Sequence, residues 1–176
     1  MAATAFTLIA PAFARGRFPR LLLSDVVLKR LSMDTAEATA LALLCGETIV
    51  PEFNAGPFIR HLDEVVDRTE IRPFFGHFPD RPASWGINVR LLGVDWETED
   101  WDKEALTEWR RAYTNLPSAL QMFVVTLLWL YHGRGEDNQW LLRLPHKWHI
   151  AEALPALKAA GLLGDWAKLV VTYQGW

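Results

Sequence analysis

Hydrophobic and polar positions along this chain recur mostly at helical spacing. Pro19 opens a run from Leu21, Leu22 and Leu23 to Leu31 that has helical character. Asp34 followed three residues later by Glu37 has the spacing of a capping box and predicts a second helix, with Gly46 as its stop signal. After Pro57, the positions Phe58, Ile59, Leu62, Val65 and Val66 share one helical face. Ala105, Leu106, Trp109 and Tyr113 do the same in a helix to about Tyr113 that Asp102 is suited to cap. The pattern then changes: no charge lies between Ala112 and Gly133, and residues 117–132 are apolar all round apart from Gln121 and Thr126. Such a helix belongs at the centre of a helical fold. A last helix is expected over 148–160, ended by Gly161 and broken or kinked at Pro155.

Between these helices the pattern shifts. Residues 72–86 form a Pro/Gly/aromatic loop, and 87–96 alternate loosely as in a short strand. A polar turn over 133–138 leads to a strand expected at 139–144. Residues 168–173 are β-prone and are expected to pair with it. The prediction is a mainly α protein: a single compact helical domain over residues 1–176, with about six helices, a central buried helix near 117–132 and a small β element. Residues 1–18 are read as a basic/apolar N-terminal arm.

Composition adjusts this picture in three places. The chain has 176 residues, 51% hydrophobic and 22% charged, which suits one soluble domain with a real core. Nine tryptophans imply an aromatic-rich interior with some rings left for a binding surface. Cys45 is the single cysteine, so no intramolecular disulfide and no all-cysteine zinc site is available, which fits a cytoplasmic setting. The apolar run before Ala14 ends like a signal-peptidase site, but no Lys or Arg precedes it and Pro11 interrupts it, so it reads as a packed arm. Residues 117–132 would make a helix of about 24 Å, short of the ~30 Å hydrocarbon core, so no membrane span is expected.

Charge is unevenly placed. Residues 1–33 carry Arg15, Arg17, Arg20, Lys29 and Arg30 against Asp25. Residues 94–109 carry Asp95, Glu97, Glu99, Asp100, Asp102, Glu104 and Glu108 against Lys103, so this segment is more negative than the whole chain at a formal −3. Trp96, Trp101 and Trp109 run through it. Carboxylates beside large rings attract a basic partner and give it something apolar to grip. Asp95, Glu97 and Glu99 have the alternate spacing of a calcium loop. However, Asp100 and Leu106 stand where the turn glycine and closing glutamate belong, so this is no EF-hand.

Two histidine-based alternatives compete. The run Phe74-Phe75-Gly76-His77-Phe78-Pro79-Asp80-Arg81-Pro82-Ala83-Ser84-Trp85-Gly86 resembles the Gly-His-Phe-Pro signature of hot-dog-fold hydroxyacyl-carrier-protein dehydratases. The resemblance implies a catalytic histidine at His77. Asp80 replaces a glycine of that pattern and Trp85 a proline. Leu91 stands where its catalytic acid should be, and the strands it needs upstream read here as helices. The second alternative is metal: His61 and Glu64, and His149 and Glu152, are i,i+3 pairs on predicted helices. Two such helices could bring four ligands together, with His146 nearby. No phosphate-binding glycine loop, Gly-x-Ser-x-Gly elbow or His-Glu-x-x-His is present. Residues 153–163 faintly resemble the end of a winged-helix recognition helix, with Lys158 its one base-reading side chain.

The sequence therefore points away from an enzyme and towards a small protein-binding protein of inhibitor, immunity or adaptor type. Its expected partner is a protein with a basic surface, such as a nucleic-acid-binding site, rather than nucleic acid itself. Self-association is a further expectation. The expected partner-binding residues are Asp95, Trp96, Glu97, Glu99, Asp100, Trp101 and Asp102, with no cofactor, metal or catalytic set. Trp109 is assigned to the core.

Overall fold

The computed structural model describes residues 21–47, 56–75, 102–132 and 148–173. Among these the fold is mainly α. Helix α1 spans Leu23–Leu31, α2 Thr35–Leu44, α3 Gly56–Arg68, α4 Lys103–Asn115, α5 Ser118–His132, α6 Ile150–Ala159 and α7 Leu163–Thr172, with a short 3-10 turn at Arg72–Phe74. The helix starts follow local chemistry. Asp34 accepts from the Glu37 N–H at 2.8 Å while the Glu37 carboxylate accepts from the Asp34 N–H at 3.2 Å, completing the capping box read from the sequence. Asp25 closes the start of α1 by accepting from the Leu22 N–H at 3.0 Å. Gly46 and Gly161 follow α2 and α6 with φ of +75° and +73°, the left-handed backbone that glycine adopts without a Cβ penalty.

Helix α5 is buried from Met122 to Leu128 on every side. Its two polar interruptions both have work. Gln121 Nε2 donates to the carbonyls of Leu116 at 2.8 Å and Thr114 at 3.2 Å, satisfying the end of α4. Thr126 Oγ1 accepts from the Trp166 indole at 2.8 Å. Helix α5 packs on α1, α6 and α7, while α7 packs on α1, α2, α3, α5 and α6.

That makes α7 a second centre, and it corrects the reading of 168–173 as a strand. The local sequence Leu-Val-Val-Thr is β-prone, yet here it is helical through Thr172. Leu169, Val170, Val171 and Thr172 are all buried, because α7 faces neighbours on several sides. Tertiary burial outweighs a weak local preference. The partner segment 139–144, like the strand expected at 87–96, lies outside the described residues. So do the arm 1–18 and the turn 133–138. An antiparallel bridge joins Leu22 and His149, with Leu23 N–H to Trp148 O at 2.8 Å and Ile150 N–H to Leu21 O at 2.9 Å.

A buried cation joins the two ends of this arrangement. Arg30, on the last turn of α1, is 6% exposed. Its Nε lies 3.4 Å from the Val171 carbonyl, and Nη2 donates to the Tyr173 carbonyl. These carbonyls lie at the negative end of α7, so the guanidinium caps that helix. Burial holds the Arg30 pKa below its usual value, with Tyr173 pulling the other way.

Candidate functional site

Of the expected partner-binding residues, Asp102 is described, and Asp95, Trp96, Glu97, Glu99, Asp100 and Trp101 lie outside the described residues. Asp102 is exposed and caps α4: its Oδ1 accepts from the Glu104 N–H at 2.9 Å and the Ala105 N–H at 3.1 Å. Its charge also lies at the positive end of the helix dipole. A structural role thus accounts for this one acid. Glu104 and Glu108 project into solvent from the same helix beside Lys103.

The three tryptophans of the segment do not share one fate. Trp109 is 4% exposed, and its indole donates to the Phe74 carbonyl at 2.9 Å. It meets the Phe74 ring edge-on at 5.8 Å and stacks on Tyr113 at 5.4 Å and 5°. Trp109 is therefore core, as its place on the apolar face of α4 predicted. The contact has a wider consequence. Phe74 is nearly the last described residue before 76–101, and Trp109 lies about 9 Å along α4 from Lys103, where that helix begins. The two described ends of a segment holding both the His77 loop and the acidic residues are thereby fixed to each other.

An ion-pair network that the sequence reading missed supports this root. Arg72 Nε lies 2.5 Å from Asp67 Oδ1, and a terminal nitrogen of Arg72 lies 3.6 Å from Asp63 Oδ1. The Arg72 hydrogen bond pulls the Asp67 pKa down, and Asp67 in turn raises that of Arg72. Asp63 goes the other way: burial raises its pKa against the attraction of Arg72. Arg72 thus latches the 3-10 turn bearing Phe74 onto the last turns of α3. Spacing of four and five residues across a helix end (Asp63, Asp67, Arg72) was the available signal.

The histidine alternatives fare differently. His77 lies outside the described residues. The strands that a dehydratase fold needs upstream are absent among the described residues, where α1, α2 and α3 stand instead. His61 is buried at the α3–α7 contact, with Nε2 3.2 Å from the Asp165 carbonyl, whereas Glu64 is exposed. Neighbouring Arg68 pairs with the Asp165 carboxylate. His149 is not on a helix: it precedes α6 in extended backbone. The two His/Glu pairs therefore do not converge. Among the described residues no group of three or more His, Cys, Asp or Glu side chains is placed to hold a metal ion. His146 lies outside the described residues.

Cys45 is buried against Ala38, Ala42 and Val171, and burial together with Glu47 raises its thiol pKa, so it is a packing residue. No helix among the described residues is long and apolar enough to cross a membrane. The segment resembling a recognition helix is α6, which packs on α5 and α7 and buries Ala153, Leu154 and Leu157. Compared with protein-family models, with curated proteins and with solved structures, the chain matches none of them.

Proposed function

We propose that this helical domain binds another protein, one with a basic surface, through the acidic tryptophan-bearing segment that runs into α4. The observation that carries the reading is how α4 divides the segment. Asp102 stands in solvent at the start of the helix, while Trp109, two turns on, is consumed by the core. With Trp109 committed to folding, the anchoring rings are Trp96 and Trp101. Asp95, Glu97, Glu99, Asp100 and Asp102 steer a basic partner and set its orientation. A single buried thiol fits action in a reducing compartment, and we place the protein in the cytoplasm.

Affinity capture from host lysate, with wild type and a Trp96→Ala/Trp101→Ala/Glu99→Lys variant of unchanged helicity, tests this. A partner held by wild type, released by moderate salt and lost by the variant supports the proposal. Equal capture by both proteins sinks it.

A further inference from the structure

We draw no further inference here: the strongest candidate, the apolar face of α2 on which Leu43 and Leu44 are exposed, carries nothing because nothing in the structure shows what covers it.

Discussion

Tyr113 shows how burial fixes the chemistry of a single side chain here. Its hydroxyl is pushed up to about 12 by desolvation, against a hydrogen bond with the Trp148 side chain. Tyr131 is also raised, by burial and by the nearness of Tyr173 and Asp63. Below pH 10 both folded and unfolded chains hold the Tyr113 proton, and stability has its full value. Above pH 10 the unfolded chain ionises first, so stability falls until the folded hydroxyl titrates near 12, a loss of about 3 kcal/mol from Tyr113 alone. Phenolate absorbance should show Tyr113 and Tyr131 titrating late, together with loss of helicity. Three tyrosines titrating together near pH 10 in an intact helical protein would contradict this. Arg30 gives a second test at this scale. Arg30→Met leaves the end of α7 without its buried donors and should cost about 1–3 kcal/mol by urea denaturation. Arg30→Lys should recover only part of that, because an ammonium cannot match the planar fork of a guanidinium that reaches both carbonyls.

At the scale of elements, the start of α4 separates folding from recognition. Asp102→Asn keeps an oxygen for the Glu104 and Ala105 N–H groups and should leave thermal stability nearly unchanged. Asp102→Ala should cost about 1 kcal/mol. If the charge of Asp102 serves a basic partner, the Asn variant should already weaken capture, and capture equal to wild type would remove Asp102 from the surface. Elements whose signals are local were legible in the sequence. The Asp34–Glu37 box and the Asp102 cap are set by side chains within four residues of the backbone they satisfy, and the Gly46 stop by a positive φ that glycine adopts freely. Helix α7 was not legible, because Val170, Val171 and Thr172 favour a strand until α1, α2, α3, α5 and α6 surround them. His149 was misplaced by one residue, which moved it from a helical face to extended backbone. Of the candidate site, the core role of Trp109 could be read from helical spacing. The Arg72 latch on Asp63 and Asp67 was harder to read: its spacing was visible, but it crosses the end of α3 into a turn, where helical periodicity no longer says which side chains meet.

For the whole molecule, the contact between α5 and α7 matters most, because these two helices organise the others. Their interface holds one buried polar link: the Trp166 indole N–H donates to Thr126 Oγ1 at 2.8 Å, with both residues 0% exposed. In surroundings built from Phe123, Leu127, Leu169 and Val170, an unmet donor has no water to turn to. Thr126→Val keeps the shape and removes the acceptor, so it should cost about 1–3 kcal/mol, mostly from the stranded indole. Trp166→Phe removes the donor and some ring volume, and should cost a comparable or larger amount through the space it leaves. The double variant should be less destabilised than the sum of the two, by about 1 kcal/mol, because once the indole is gone the hydroxyl has nothing to serve. Urea denaturation of the four proteins of this cycle measures the coupling. Strict additivity would mean that the hydrogen bond contributes nothing and that α5 and α7 are held by apolar packing alone. A coupling of the expected size would mean that the bond contributes to holding α7 on α5 beyond apolar packing. From α7 the packing continues outward, through Val171 to Ala38, Ala42 and Cys45 and through the Val171 carbonyl to Arg30 of α1.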